Sequence, residues 1–342
     1  MAARLARITG AEHTAMLGLG VYRPARVVTN DEVAGPINSS DEWIRTRSGI
    51  RNRRFASDAE TIVGMSAAAG RAALAAAGVG PEEVDCVIVA TSTWLLLTPA
   101  AAPQVATELG MGNPAAFDIS AGCSGFCHAI AVASDLVKGG TARRALVIGV
   151  ERLTDTINPA DRGTAFLFAD GAGAVVIGPS DEPGIGPTVW GSDGTQHRAI
   201  RQDKDWMEFF NEIDAKGTDA VRPYLAMEGT AVFRWAAHSL KKVCLDAIAV
   251  AGLTPADIDA MVPHQANGRI IEIMARELKL PESTALANDI EETGNTSAAS
   301  IPLAMEALLR SGKSKPGADA LLVAFGAGLS WAAQVVKLPN WQ

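Results

Sequence analysis

Cysteine is scarce in this chain. Four thiols, Cys86, Cys123, Cys127 and Cys244, are spread over 342 residues, too few and too scattered for a disulfide framework. They are expected to be reduced, and any that matter do so as thiols. Long apolar runs are missing as well: none approaches the ~18 residues that span a bilayer. Arg4, Arg7, Glu12 and His13 interrupt residues 1–20 before a signal-peptide core can build up, so the expected location is the cytoplasm, away from membranes. Positive charge is in deficit, with a formal net charge of −8, which argues against a general nucleic-acid binder. Charged residues make up only 20% and hydrophobic ones 48%, a balance that builds a core rather than a disordered tail. At this length the core serves one large or two medium domains. A Walker loop, a Rossmann glycine fingerprint and a G-x-S-x-G elbow are all absent from strand-to-helix junctions.

What is present is a series of short, continuous Ala/Val/Ile/Leu segments bounded by Gly or Pro. Residues 84–90, 145–150 and 320–325 read as buried strands of a mostly parallel sheet, with further strands at 175–177 and 332–336. Helical patterns fill the intervals at 64–77, 124–138, 231–251, 267–280 and 301–310. This alternation predicts an α/β fold.

The chain also repeats itself. Ala77-Gly78-Val79-Gly80-Pro81 lines up with Ala251-Gly252-Leu253-Thr254-Pro255 at an offset of 174 residues. At nearly that offset Asp118-Ile119 matches Asp289-Ile290, Gly122-Cys123-Ser124 matches Gly294-Asn295-Thr296, and Ala145-Leu146-Val147 matches Ala320-Leu321-Leu322. Four matches in order predict a duplicated α/β unit, with halves at 1–180 and 181–342. The duplication sets Cys123 and Asn295 at equivalent points near a shared pseudo-twofold axis. His264, after the strand at 258–262, joins them at the same end of the sheets, where α/β folds build their pockets.

Cys123 lies in a run of small residues between a strand end and a helix. A helix N-terminus stabilises a thiolate, the form in which cysteine is a nucleophile; a small core hydrophobe is the alternative for an average cysteine. Cys127 lies one turn deeper. A disulfide between the two would be strained, and no second His/Cys cluster completes a metal site with Cys127 and His128, so both read as packing residues. Asn295 alone reads as a turn or N-cap asparagine, and its match to Cys123 is what promotes it. Gly326-Ala327-Gly328 allows backbone N–H groups to approach a reacting carbonyl.

The segments Ala121-Gly122-Cys123-Ser124-Gly125-Phe126, Val262-Pro263-His264-Gln265-Ala266-Asn267 and Gly294-Asn295-Thr296-Ser297-Ala298-Ala299-Ser300 resemble those of β-ketoacyl-ACP synthase III. These are condensing enzymes that start fatty-acid and some polyketide chains. Ser40-Asp41-Glu42-Trp43-Ile44-Arg45, Asp161-Arg162-Gly163-Thr164 and Phe325-Gly326-Ala327-Gly328 carry the same likeness, in family order. The resemblance implies a duplicated five-layer αβαβα thiolase-like fold and a homodimer. It implies a Cys123-His264-Asn295 site in which Cys123 takes an acyl group from acyl-CoA. Malonyl-ACP then decarboxylates, His264 and Asn295 hold its enolate, and 3-oxoacyl-ACP forms with release of CO2. The oxyanion hole would be the N–H groups of Cys123 and Ala327, where many relatives have glycine rather than alanine. No cofactor is implied, CoA thioester being a substrate.

Further roles are implied for other residues. Trp43 and Arg162 would sandwich the CoA adenine, with Arg47 near its phosphates, although Trp43 reads equally as a surface staple. Arg234, Arg269 and Arg276 would receive the carrier protein, although an ordinary solvated face has the same pattern. Trp94, Leu97, Thr98 and Phe168 would line the primer pocket. Thr98 stands where acetyl-using relatives often have phenylalanine, which predicts room for larger starters. Residues 191–228, charged and aromatic with little periodicity, are expected to cap the entrance. The alternative is acyl transfer to an oxygen or nitrogen nucleophile on the same scaffold. Its users tend to carry an acid in place of Asn295, and an amide cannot act as a base. A degradative thiolase would need a second cysteine near Gly326, and none is there.

Overall fold

Two five-stranded sheets of matching topology organise the computed structural model, which describes Leu5 and residues 8–341. The first contains β1 (His13–Tyr22), β2 (Cys86–Ala90), β3 (Ala115–Ile119), β4 (Ala145–Arg152) and β5 (Asp170–Ser180), in the order β1-β5-β4-β2-β3. The second contains β6 (Val189–Ser192), β7 (Ala260–Pro263), β8 (Ala285–Leu286), β9 (Asp319–Gly326) and β10 (Ser330–Lys337), in the order β6-β10-β9-β7-β8. Strand n of one sheet is therefore strand n+5 of the other. The expectation of a mostly parallel sheet is corrected: each sheet has two parallel pairs and two antiparallel ones. All the strands of the sheet centre are buried on both faces, so their unbroken apolar runs carry no mark of direction.

Six helices complete the layers. α1 (Ile62–Ala77) and α2 (Ala102–Glu108) cover the outer face of the first sheet, where Met65, Ala69 and Val105 pack on Val87, Val89 and Ile148. α4 (Gly229–Val250) and α5 (Gly268–Leu278) cover the outer face of the second, with Leu240, Cys244 and Met274 on Met261 and Leu321. Between the sheets lie α3 (Gly125–Lys138) and α6 (Ser300–Arg310), whose Phe126, Ile130, Ile301 and Met305 join Ile88, Val147, Val262 and Leu322 in one core. The result is the five-layer αβαβα arrangement expected from the sequence. Successive residues of β2 alternate between central and outer cores, as a two-residue period requires.

The repeated Gly–Pro segment has the same structure in both halves. α1 ends at Gly78 (φ 63°) and α4 runs on to Gly252 (φ 76°), each followed by a proline-led 3-10 turn into a strand. The match of Cys123 to Asn295, however, is out of register. The turn ahead of α3 opens on Gly122 (φ 54°), and the turn ahead of α6 opens on Ser297 (φ 48°). Gly122 thus corresponds to Ser297, and Cys123 to Ala298. Asn295 falls in a stretch that the second half lengthens with the short helix Ile290–Thr293.

Residues 191–228 also differ from expectation. The segment begins inside β6, and it contains the helix Trp206–Lys216, capped by Asp205 and Glu208, and a small β-ribbon of Ile200–Gln202 with Leu225–Met227. At the opposite rim, the fully buried Arg53 donates to the Phe166 and Thr29 carbonyls (each 3.1 Å) and to Asn30 Oδ1. It ties the 26–55 region to the 161–168 segment. Burial lowers its pKa to about 10, which leaves it a cation at neutral pH.

Candidate active site

A cavity of about 500 Å³ runs from Trp43, Arg47 and Arg162 at its exposed rim to Cys123, His264 and Asn295 at its buried end. The triad comes from three junctions. Cys123 occupies the 3-10 turn Gly122–Ser124 in front of α3, His264 follows β7, and Asn295 follows the short helix before α6. His264 and Asn295 are 2% and 4% exposed. The main chain of Asn295 is held by two hydrogen bonds with the turn leading into β5: Asn295 N–H donates to the Leu167 carbonyl, and the Ala169 N–H donates to the Asn295 carbonyl, each at 2.9 Å.

Hydrogen bonding fixes what the two polar side chains offer. Asn295 Oδ1 accepts from the Ser297 N–H at 2.9 Å, so Nδ2 is the donor; one of its N–H groups reaches the Ala266 carbonyl at 3.5 Å and the other is left to serve the cavity. Ser300 Oγ accepts from the Gln265 N–H at 3.3 Å and stands 2.7 Å from His264 Nδ1. Nδ1 is the only acceptor within reach of the Ser300 hydroxyl proton among the described residues. The imidazole therefore carries its own proton on Nε2. Burial lowers its pKa to about 3, which keeps it neutral. Two N–H donors thus serve the closed end of an apolar-walled cavity, a means of holding a developing oxyanion.

Ser300→Ala removes the group that selects this tautomer. Turnover should fall about tenfold, the worth of one buried hydrogen bond, and 15N NMR of His264 should show mixed tautomers. An unchanged spectrum would contradict the assignment.

The other expected donors are backbone groups of Cys123 and Ala327, both on the cavity wall. A Cβ built on Gly326 would stand 2.5 Å from the Cys123 nitrogen, and one on Gly122 would stand 2.9 Å from the Ala327 nitrogen. Only glycine permits these two turns to approach so closely. Ala327 itself is outside the positive-φ region, which here falls to Gly328, so alanine fits without strain. Gly326→Ala should push the Cys123 turn out of place, costing about 2 kcal/mol. A lowered thermal midpoint and at least tenfold slower alkylation of Cys123 would be the signature.

Comparison with known proteins identifies the family. Residues 117–194 match the family model described as 3-oxoacyl-[acyl-carrier-protein (ACP)] synthase III, and residues 248–338 match that of its C terminal. A β-ketoacyl-[acyl-carrier-protein] synthase III from Mycobacteroides abscessus is 57% identical over 335 residues, covering 98% of both chains. The chain belongs to the β-ketoacyl-[acyl-carrier-protein] synthase III family. A mycobacterial β-ketoacyl-[acyl-carrier-protein] synthase III from Mycobacterium marinum is 54% identical, covering 98% of this chain and 99% of that one. Among solved structures, the priming β-ketosynthase from the R1128 polyketide biosynthetic pathway superimposes with a TM-score of 0.94 at 47% identity, covering 99% of this chain and 100% of that chain. A 3-oxoacyl-(acyl carrier protein) synthase III from Pseudomonas aeruginosa PAO1 has a TM-score of 0.88 at 37% identity, with 97% and 100% covered. The chain is thus an enzyme of the synthase III family.

Several expectations for a synthase III site are altered by the structure. A resting thiolate at Cys123 is not favoured: burial pushes the thiol up to about 12, a Ser297 hydrogen bond pulls against this, and the Glu151 charge adds to it. Desolvation outweighs the helix terminus. Cys127 is buried and has a thiol pushed up by burial in the same way, and His128 Nδ1 is bonded to the Ser124 carbonyl oxygen. Phe168 lines the cavity, but Trp94, Leu97 and Thr98 do not. The loop that holds them turns outward: Leu97 is 88% exposed, and the Trp94 indole N–H donates to the Pro99 carbonyl at 2.9 Å. Thr98 therefore does not size the cavity within this chain.

At the rim, the Arg162 guanidinium lies 4.6 Å from the Trp43 ring centroid and that of Arg47 5.5 Å. Trp43 also packs edge-on against Phe166, so it is more than a surface staple. A base stacked on the indole would have to displace the Arg162 guanidinium. Arg269 lines the cavity with its guanidinium over Phe233, while Arg234 and Arg276 stand exposed on α4 and α5. Among the described residues, none of Arg47, Arg162, Arg234, Arg269 and Arg276 is in an ion pair. Ile200, Leu225 and Met227 of the 191–228 segment form part of the wall. Sequence reasoning missed Glu151 and the separate tasks of Ser297 and Ser300. The available signal was a lone acid immediately after the apolar run 145–150.

Proposed function

We propose that this enzyme condenses a starter acyl-CoA with malonyl-ACP, giving 3-oxoacyl-ACP, CoA and CO2 at the start of a fatty-acid or polyketide chain. The observation that carries the reading is the pair of oriented N–H donors, His264 Nε2 and Asn295 Nδ2, beside Cys123. In the first half-reaction Cys123 sulfur attacks the acyl-CoA carbonyl, the oxyanion accepts hydrogen bonds from Cys123 and Ala327 N–H, and CoA departs. In the second, His264 and Asn295 hydrogen-bond the malonyl thioester carbonyl. Loss of CO2 leaves its electron pair in the enolate, which attacks the acyl-Cys123 carbonyl and expels the thiolate. A carbonyl held by two neutral donors suits an enolate, whereas hydroxyl acylation needs a base that Asn295 cannot supply.

Trp43, Arg47 and Arg162 suit the adenine and phosphates of CoA. Arg234, Arg269 and Arg276 suit an acidic carrier protein, and the apolar wall suits an aliphatic acyl chain. We also propose a homodimer. β3 is an open sheet edge with Phe117 exposed, next to the exposed Leu95, Leu96 and Leu97, and such an edge invites a second copy.

The testing experiment offers straight and branched acyl-CoAs of increasing length with malonyl-ACP, and separately with malonyl-CoA. Equimolar CO2 and 3-oxoacyl-ACP are expected for a subset of starters, with malonyl-CoA much the poorer extender. Acyl transfer without CO2 would overturn the proposal.

A further inference from the structure

The condensation scheme uses no carboxylate, yet one is fully buried behind the nucleophile. Glu151 ends β4, and its Oε2 accepts from Thr93 Oγ1 (2.7 Å), the Ser92 N–H (3.1 Å) and Thr91 Oγ1 (3.3 Å). Its Oε1 accepts from Ser297 Oγ at 3.0 Å. Ser297 and Cys123 both line the cavity wall, and the Ser297 hydroxyl draws the Cys123 pKa down. With its own proton given to Glu151, the Ser297 oxygen can receive one from the thiol, which sets thiol, hydroxyl and carboxylate in one row.

The duplication makes this arrangement conspicuous. Ser297 holds the left-handed backbone position that Gly122 holds in the other half. A side chain there costs about 1 kcal/mol that glycine would avoid. Across the axis, the strand end that corresponds to Glu151 is Gly326, which has no side chain at all. Both departures from symmetry put a proton-carrying group on the same side of Cys123. His264 cannot take the thiol proton at Nε2, because that nitrogen already holds one.

We propose that Glu151 takes the Cys123 proton through the Ser297 hydroxyl during acylation and returns it during condensation. The proposal rests on the condensing reading above. As the sulfur–carbon bond forms, the thiol proton passes to Ser297 oxygen and the Ser297 proton passes to Glu151 Oε1. The bond between the acyl carbon and CoA sulfur then breaks, and CoA leaves as a thiolate that solvent protonates. When the enolate displaces Cys123, the departing sulfur keeps the bonding pair and recovers its proton by the same route. Glu151 is a positioning residue for the proton and does not meet the substrate.

The acid–base balance suits this task. Burial pushes the Glu151 carboxyl up to about 7, against the hydrogen bonds it accepts, so it can both take and release a proton near neutrality. The thiol is higher, so the proton moves only as the new sulfur–carbon bond forms. Other charges nearby are occupied: Arg152 pairs with Asp155, and Asp170 binds Thr154 and the Ala56 N–H. His264 is bonded to Ser300.

Glu151→Gln and Ser297→Gly test the route, using single-turnover acylation by acetyl-CoA and dodecanoyl-CoA from pH 5 to 9 and alkylation by iodoacetamide. In the unaltered enzyme, acylation should fall as pH drops through about 7, where Glu151 fills with its proton. Glu151→Gln should acylate about a hundredfold more slowly at neutral pH and lose that inflection. Its alkylation should slow with it at neutral pH, since that sulfur–carbon bond also needs the thiol proton removed, and recover towards pH 9 as hydroxide takes over the task. Ser297→Gly should slow acylation similarly with no loss of thermal stability. Acylation by Glu151→Gln within threefold of the unaltered enzyme overturns the relay alone. So does a loss of alkylation that persists at pH 9, the mark of a structural role. An unaltered enzyme that alkylates at Cys123 but accepts acyl groups from neither CoA ester overturns the condensing reading and the relay with it.

Discussion

Cys123→Ala should abolish acyl-enzyme formation, with turnover at least ~10⁴-fold below the unaltered enzyme. No other thiol can substitute. Cys127 sits a turn deeper in α3, Cys86 is in β2 and Cys244 in α4, all buried and none on the cavity wall. The substitution should spare the fold, since all four cysteines are free and only one sulfur is lost from a partly exposed turn. His264 and Asn295 keep their partners in Ser300 and Ser297. Malonyl-ACP should therefore still lose CO2 slowly, with no 3-oxoacyl product. Intact-protein mass after incubation with acyl-CoA, together with CO2 release, checks both halves. An acyl adduct of normal extent in Cys123→Ala would mean that the nucleophile lies elsewhere.

Asn295→Ala should divide the two half-reactions in the opposite sense. Acylation should stay within about threefold, because its oxyanion is held by backbone groups of Cys123 and Ala327. Condensation should fall about 10²–10³-fold, the usual cost of one preorganised oxyanion donor. The backbone bonds of Asn295 to Leu167 and Ala169 survive the change, so the turn that carries Ser297 should hold. Burst acylation measured against steady-state product formation separates the rates. Equal loss in both would remove the division of labour between backbone and side-chain donors.

Much of this architecture was legible in the sequence, for physical reasons. Strands such as 145–150 and helices such as 64–77 are buried on both faces or along one stripe, and their composition records it. Strand direction leaves no such record, and this is why β5 and β10 emerged as antiparallel only in the structure, while β1 and β6, whose half-buried residues form no continuous apolar run, were not read as strands at all. The repeat at Gly78 and Gly252 was sound because a positive-φ helix stop demands glycine. The repeat at Asn295 identified a site residue through a false register, since Ser297 fills a glycine-like position that no glycine marks. Cys123 and His264 were legible from their strand-to-helix junctions. The Leu95–Thr98 loop was not, because an apolar run gives no sign of whether it faces its own cavity or a second copy. Glu151 escaped notice for a similar reason. A buried acid and a surface acid at a strand end look alike until the hydroxyls of Thr93 and Ser297 are seen around it.

The central claim is that one covalent intermediate on Cys123 links acyl-CoA to the condensed product. Intact-protein mass spectrometry with peptide mapping tests it most directly, first with acyl-CoA alone and then after a chase with malonyl-ACP. One acyl group per chain should appear on Cys123, then vanish on the chase in step with one equivalent each of CO2 and 3-oxoacyl-ACP. An adduct that persists through the chase, or product formed while Cys123 remains unmodified throughout, would contradict the account.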